Sequence, residues 1–254
     1  MVQTRISVKW LVGMIMSKKP PKHSEMNTGE RSAASRLKGC WGTPRETAPT
    51  IPINPERYLI VTEGTQTEPN YFSGISDRIN NTYHGDFVSV SILGCGMNTI
   101  SLFKQAKKTA ESYPSGFTQV WIVYDKDDFN AANFNYVDEA CSNESDNDTA
   151  YYAAWSNEAF ELWFLLHFEH LHSALHRSDY YSKLSSHLEK IGSGEYTKNR
   201  NDMFQLLEPY TDQAIRNAKK LENINQGKTP SDSSPGTNVH KLVGNLLPYI
   251  QDRP

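Results

Sequence analysis

The amino-acid sequence predicts an α/β fold: a parallel four-stranded sheet flanked by helices, followed by a helical C-terminal part. Short apolar, β-branched runs alternate with stretches of helical periodicity from Arg57 to about Phe168, which is typical of strand–helix–strand units. After about Leu171 the strand-like runs stop and helical patterns continue. Two of the apolar runs end abruptly in carboxylates, at the place where a parallel sheet opens its ligand crevice.

The predicted strands are the buried apolar runs Tyr58–Thr62, Phe87–Leu93, Gln119–Tyr124 and Ala150–Trp155. Helices are predicted between and after them at Thr67–Tyr83, Asn98–Tyr113, Ala131–Asn143 and Glu158–Phe168. The C-terminal part is predicted to hold helices at Tyr180–Ile191, Asp202–Leu207, Thr211–Asn223 and Val239–Ile250, with a Pro/Ser/Gly-rich loop at Gln226–Gly236. Right-handed crossovers should place the first and third strands side by side.

Three segments are predicted along the 254 residues. Residues 1–55 are polar and basic, with 9 Lys/Arg against 3 Asp/Glu in the first 50, and are expected to form a disordered tail. Residues 56–170 form the α/β core, and residues 171–254 form a helical extension packed on it. The apolar stretch Val8–Met16 is too short to span a membrane and lacks a cleavage site, so we expect translation to begin at Met14 or Met16.

Charge and cysteine content exclude several classes of protein. Residues 51–254 hold 17 basic and 26 acidic side chains, so this part of the chain is not a basic domain that wraps DNA. Contact with nucleic acid would need a local basic patch or screening by Mg²⁺. The three cysteines form no CxxC pair, which argues against a disulfide framework and a structural zinc module. A reducing, cytoplasmic setting away from the membrane is therefore expected.

The acidic strand ends are the main candidate site. Glu63 follows the first strand and precedes Gly64, whereas Asp125 and Asp127 follow the third strand. Carboxylates two residues apart on a strand point the same way, and such hard oxygen ligands suit Mg²⁺, with Mn²⁺ as an alternative. We expect Asp125 and Asp127 to hold the metal and Glu63 to handle a proton. Loops after strands are also acidic for solvation alone, and Asp128 could bind metal or face solvent.

Glu161 is a second signal. It lies in a segment that is apolar on nearly every side, where an unpaired carboxylate is costly. The predicted helix starts at the end of the fourth strand, so Glu161 can reach the same crevice as a catalytic group or an extra ligand. A solvated or hydrogen-bonded structural role fits equally well. Asn157 is expected to cap this helix.

Weaker signals complete the set of candidate residues. The Gly94–Gly96 turn could present backbone amides to a phosphate, although a tight turn capped by Asn98 is the simpler interpretation. His172 and His176 lie one helical turn apart in the histidine-rich stretch 167–176, but no HExxH motif supports a zinc site. Five basic residues could hold a nucleic-acid backbone or form a solvated helix face: Lys198, Arg200, Arg216, Lys219 and Lys220.

Several segments together resemble RloB-type proteins, a branch of the Toprim superfamily. They are Leu59–Phe72 (LIVTEGTQTEPNYF), Gly94–Thr99 (GCGMNT), Trp121–Phe129 (WIVYDKDDF), Ser156–Phe168 (SNEAFELWFLLHF) and Thr237–Val243 (TNVHKLV). The resemblance covers about residues 57–247, and its first and fourth segments are the most specific. The fourth usually begins Ser-Asn-Pro in the family, and here Glu158 stands in the proline position.

The resemblance implies a Toprim-like, Rossmann-like core in which Glu63 matches the strand-one glutamate and Asp125 and Asp127 match the Mg²⁺-binding Asp-x-Asp. It also implies a prokaryotic anti-phage or abortive-infection setting, often beside an ATPase of the OLD type. The sequence has no Walker motif, so ATPase activity would belong to such a partner. The leading hypothesis is a Mg²⁺-dependent nuclease that acts on RNA or DNA.

Two alternatives remain open at the level of sequence. A regulatory module that binds nucleic acid or an ATPase without cutting is favoured by the acidic character of residues 51–254. Nucleotidyl transfer, as in primases, uses the same carboxylates and would require nucleoside triphosphates. The choice between DNA and RNA, the trigger of the activity and the oligomeric state are left undetermined.

Overall fold

The structure is a computed structural model, and it describes residues 55–126 and 130–251. Apart from Pro55, the predicted tail at residues 1–55 lies outside the described residues. The predicted metal ligand Asp127 and its neighbour Asp128 also lie outside them.

One sheet organises the described part of the chain, with the strand order β2-β1-β3-β4-β5. The strands are β1 (Glu56–Thr62), β2 (Val88–Gly94), β3 (Gln119–Asp125), β4 (Ala150–Asn157) and β5 (Gly236–Thr237). The first four are parallel, and β5 runs antiparallel to β4. The predicted α/β class is confirmed, and the first and third strands are neighbours, with Thr62 opposite Val123.

Helices connect the strands and follow them along the chain. They are α1 (Thr67–Tyr83), α2 (Thr99–Ser112), α3 (Ala131–Glu144), α4 (Glu161–Leu166), α5 (Arg177–Lys190), α6 (Met203–Leu207), α7 (Thr211–Ile224) and α8 (Val239–Gln251). Short 3-10 turns lie at Glu208–Tyr210 and Pro230–Asp232.

Successive side chains of a strand point to opposite faces of the sheet, and this divides the hydrophobic core into two clusters, one on each face. Tyr58 and Ile60 of β1 belong to the cluster that contains α1 and α4 to α8. Leu59 and Val61 belong to the cluster that contains α2 and α3. Each fully buried large apolar side chain contributes roughly 1.5–3 kcal/mol, so both faces add to stability. The C-terminal helices complete the core on one face of the sheet.

The sheet has one strand more than the four that were predicted. The end of the predicted loop Gln226–Gly236 enters β5, where Gly236 lies opposite Asn157 and Thr237 lies opposite Ser156. The hydroxyls of Ser156 and Thr237 are 3.1 Å apart. A strand of two residues has no alternation that could reveal it in the sequence.

The helix after β4 is shorter than predicted. It spans Glu161–Leu166 rather than Glu158–Phe168, because β4 continues through Asn157 to pair with β5. The predicted capping role of Asn157 is therefore wrong. Its side-chain amide instead donates to the carbonyls of Pro230 and Ser231, at 3.3 and 3.0 Å.

Within residues 55–126 and 130–251, none of the helices is both long and apolar enough to cross a membrane.

Candidate functional site

Glu63 and Asp125 meet at the carboxyl end of the sheet. The Glu63 N–H donates to the carbonyl of Val123 at 2.9 Å, which continues the β1–β3 ladder one residue beyond β1. The Asp125 N–H donates to Glu63 Oε2 at 3.2 Å. Both side chains are half-buried. Two of the predicted carboxylates therefore lie side by side at adjacent strand ends.

The turn before α2 holds Glu63 from its other side. The Gly96 N–H donates to the Glu63 carbonyl at 2.9 Å, and Thr99 Oγ1 donates to Glu63 Oε1 at 3.4 Å. Gly96 has a φ of +62°, a conformation that favours glycine. Asn98 caps α2 as predicted, since its side chain accepts a backbone N–H of the first turn at 3.0 Å. The glycine turn thus positions Glu63.

A pocket of about 230 Å³ opens at this end of the sheet. Its wall combines acidic and basic side chains with the backbone that follows β1. The carboxylates are Glu63, Glu68, Asp125 and Glu161, and the cations are Arg177 and Lys198. The structure therefore brings together three of the four predicted site residues, and the fourth, Asp127, lies outside the described residues.

Glu161 is buried in this pocket, with 2 % of its surface exposed. It is the first residue of α4, and the hydroxyl of Tyr196 donates to its Oε1 at 2.9 Å. Burial, and then the negative charge of Glu161, raises the pKa of the Tyr196 hydroxyl, so Tyr196 keeps its proton and remains a donor. Glu161 thus has a buried hydrogen-bond donor within the candidate site.

Glu68 is a candidate site residue that the sequence did not reveal. It is the second residue of α1, is only 6 % exposed and lines the same pocket. Burial raises its pKa to about 7, and the charge of Glu161 adds to the rise, whereas the N–H groups of Glu68 and Gly64 and the Lys198 charge oppose it. An acidic residue in the first turn of a helix is ordinary, so only its closeness to Glu63 in the sequence could have suggested a site role.

The loop between α5 and α6 brings Lys198 to the wall of the pocket and Tyr196 to Glu161. Arg200 stabilises this loop through two hydrogen bonds to Asp202, at 2.7 and 2.8 Å, and through donation to two loop carbonyls. Thr67 at the start of α1 donates to the Lys198 carbonyl at 3.1 Å. Hydrogen bonds therefore hold the loop in its own conformation and connect it to α1, the helix that carries Glu68.

The basic stripe considered in the sequence does not form one surface at the site. Lys198 lines the pocket, whereas Arg200 is engaged within its loop. Three further members lie on α7: Arg216, Lys219 and Lys220. Arg177, the first residue of α5, contributes a cation that the sequence analysis did not single out.

The histidine-rich stretch does not assemble a zinc site. His167 is buried with Nδ1 2.9 Å from the Trp163 carbonyl, and burial lowers its pKa to about 4. His176 caps α5 by accepting a backbone N–H. In the part of the chain that the structure describes, no group of three His, Cys, Asp or Glu side chains is arranged so that it could hold a metal ion.

A larger pocket, of about 400 Å³, lies beside Trp155 and Lys241. Its amide side chains serve the fold, since Asn238 accepts the Trp155 N–H at 2.6 Å and Asn225 donates to the Pro235 carbonyl at 2.8 Å. We place the candidate site in the smaller pocket because that one gathers the acidic strand ends.

Comparison with known proteins gives a family for the chain. The family described as RloB-like protein matches residues 58–246, a range that contains every residue of the candidate pocket. No curated protein and no solved structure matches the chain. Because the family match spans most of the sequence, this protein belongs to the RloB-like family.

Proposed function

We propose that this RloB-like protein is a Mg²⁺-dependent nuclease of the Toprim type, which hydrolyses phosphodiester bonds in RNA or DNA during anti-phage defence. The observation that carries the proposal is the hydrogen bond of 3.2 Å between the Asp125 N–H and Glu63 Oε2, at adjacent strand ends. Ligands of parallel α/β sheets bind at this edge. The expected setting is the cytoplasm, and the expected partner is an ATPase of the OLD type.

The oxygen donors of the pocket are of the kind that Mg²⁺ and Mn²⁺ prefer. No three described His, Cys, Asp or Glu side chains are arranged to hold an ion by themselves, so the proposed metal site needs Asp127, which lies outside the described residues. The described lining supplies carboxylate oxygens and neither histidine nor cysteine. Asp125, together with Asp127 two positions later in the chain, would hold the ion. A bound ion would supply Lewis-acid stabilisation of the negative charge that develops on the phosphate.

Glu63 is the candidate proton-transfer group. Its two carboxylate oxygens are oriented separately, one by Thr99 and the other by the Asp125 N–H. A carboxylate fixed in this way can take a proton from an attacking water or return one to the leaving oxygen. Such a positioned group contributes typically about 10²–10⁴-fold to a rate.

The cations of the pocket complement a phosphate group. Arg177 and Lys198 line the wall that also carries Glu63 and Asp125. Arg and Lys both bind phosphate oxygens, and Arg can do so through two parallel hydrogen bonds. Tyr196 donates a hydrogen bond to Glu161 of the same wall. In the proposed reaction these side chains would supply both proton transfer and positive charge around one phosphodiester.

A second candidate function is a module that binds nucleic acid or an ATPase without cutting. It is favoured by the acidic character of residues 51–254 and by a pocket wall with four carboxylates and two cations. Binding that depends on a metal ion but yields no product would distinguish this function from hydrolysis.

Cleavage of labelled total RNA and plasmid DNA by the purified protein tests the proposal. The reactions contain Mg²⁺, Mn²⁺ or EDTA and compare the wild type with Asp125→Ala and with Asp77→Ala, an exposed aspartate of α1. We expect metal-dependent cleavage that the control retains and Asp125→Ala loses. Full activity of Asp125→Ala would contradict the metal assignment, and a requirement for nucleoside triphosphates would indicate nucleotidyl transfer.

A further inference from the structure

An open groove of about 590 Å³ follows one face of α2. Its side chains on α2 follow Ser101 at intervals of three, four and seven residues, so they share one face of the helix, and Met97 lies just before it. The side chains of the groove are Met97, Ser101, Lys104, Gln105 and Lys108. The other face of α2 is buried against the sheet through Leu102, Phe103 and Ala106.

Two positive charges stand in this groove. Lys104 and Lys108 are exposed, and neither forms an ion pair with a residue of the described part of the chain. Lys107 differs, because it pairs with Glu144 of α3. Glu111 follows Lys108 by three residues on the same helix. The groove is therefore a local basic surface on an otherwise acidic part of the chain. Contact with nucleic acid needs a basic patch of this kind.

The groove begins at the candidate site. Gly96 and Asn98 line its end nearest the sheet. The Gly96 N–H donates to the Glu63 carbonyl, and Thr99 in the first turn of α2 donates to the Glu63 carboxylate. One end of the groove therefore lies a single hydrogen bond away from Glu63.

We propose that this groove binds the sugar–phosphate backbone of a nucleic-acid strand, with Lys104 and Lys108 on neighbouring phosphates, and leads the strand to Glu63. The two lysines are one helical turn apart, a rise of about 6 Å, which is comparable to the separation of neighbouring phosphates. Ser101 and Gln105 add neutral hydrogen-bonding groups of the kind that contact phosphate and sugar. This assignment deepens the proposed nuclease function. The claim that the bound strand leads to Glu63 rests on that function.

Salt-dependent binding tests the groove separately from cleavage. The full chain carrying Glu63→Gln, which should slow any cutting, is titrated by fluorescence anisotropy against single-stranded RNA, single-stranded DNA and duplex DNA of one sequence. In that background, Lys104→Gln/Lys108→Gln is compared with Lys107→Gln. The control removes Lys107, a lysine of the same helix that is already paired with Glu144. Exposed ion pairs of this kind contribute only about 0–1 kcal/mol to stability.

Each phosphate contact contributes about 0.7 to the slope of log K against log salt on single strands and about 0.9 on duplex DNA. The double variant should therefore make this slope shallower by about 1.4 on a single strand and weaken binding about 25-fold at about 0.1 M salt. The control should leave both quantities close to those of the parent. The probe that loses most affinity identifies the preferred nucleic acid.

Three results would overturn the groove assignment: unchanged affinity and slope in the double variant, an equal loss in Lys107→Gln, or no binding of any probe at low salt. Cleavage by the chain with Glu63 intact is scored in parallel. If the lysine pair controls binding but that chain cuts no substrate, the groove stands and the nuclease proposal fails. If the chain cuts but the lysine pair has no effect on binding, the nuclease proposal stands and the groove assignment fails.

Discussion

The carboxylate of Glu68 packs against the backbone of Gly64. A Cβ atom at position 64 would lie 2.8 Å from Glu68 Oε1 and would overlap Oε2. A side chain at position 64 therefore requires the Glu68 carboxylate to move from its buried place. This contact links the strand end that carries Glu63 to the helix that carries Glu68, and it closes one side of the pocket.

Gly64→Ala should displace Glu68 and destabilise the protein by about 1–3 kcal/mol, as overpacking of a filled site does. Glu68→Ala removes the obstructing carboxylate, so the same glycine substitution should cost less in that background. Denaturant unfolding of the wild type, both single variants and the double variant gives the coupling energy. Equal destabilisation in both backgrounds would contradict the contact.

Glu68 also predicts a pH dependence of stability. Its pKa of about 7 in the folded protein exceeds the ordinary value of 4.5, so the folded state holds the additional proton between these values. The resulting stabilisation is complete below about pH 4.5, is lost as the pH rises to about 7, and amounts to about 3 kcal/mol. Glu68→Gln stays neutral and should therefore be more stable than the wild type at about pH 8, with a difference that shrinks towards pH 5.

Unfolding curves at several pH values in EDTA measure this difference. The matched control is Glu189→Gln, which neutralises an exposed glutamate of α5 and should follow the wild type at every pH. A difference between Glu68→Gln and the wild type that does not change with pH would show that the Glu68 carboxyl does not take up this proton on folding.

Tyr196→Phe removes the hydroxyl that donates to Glu161 and leaves the ring in place. A buried carboxylate that loses a donor should destabilise the fold by about 1–3 kcal/mol. Tyr181→Phe is the matched control, because the Tyr181 ring lies 5.8 Å from that of Tyr196 and its hydroxyl makes no hydrogen bond to a described residue. Thermal or denaturant unfolding should separate the two variants, and equal stability would mean that the Tyr196–Glu161 bond adds nothing.

The α/β class and the closeness of Glu63 to Asp125 could be predicted because their determinants are local. The β-branched run before Glu63 specifies a strand. Right-handed crossovers, with α1 and α2 on opposite faces of the sheet, then make β1 and β3 neighbours. The carboxylates follow these strands directly, so they meet once the two strands are neighbours.

The remaining parts of the site depend on contacts between distant segments. Tyr196 reaches Glu161 from a loop that Arg200 holds in place, and no periodic pattern marks such a loop. Strand β5 was missed for a similar reason. It is fixed by side chains, among them Asn238, whose amide donates to the Ala153 carbonyl at 2.9 Å. Asn238 belongs to the segment Thr237–Val243, which is part of the family resemblance. Its contacts join the C-terminal part of the chain to β4.

The most direct test of catalysis is the single-turnover cleavage rate of the wild type and Glu63→Gln, measured with saturating Mg²⁺ on whichever nucleic acid the wild type cuts. Glu111→Gln, an exposed glutamate of α2, is the control, and circular dichroism establishes that each variant is folded. We predict a rate lower by about 10²–10⁴-fold for Glu63→Gln and an unchanged rate for the control. Cleavage by folded Glu63→Gln at the wild-type rate would contradict the assignment of Glu63 as the proton-transfer group.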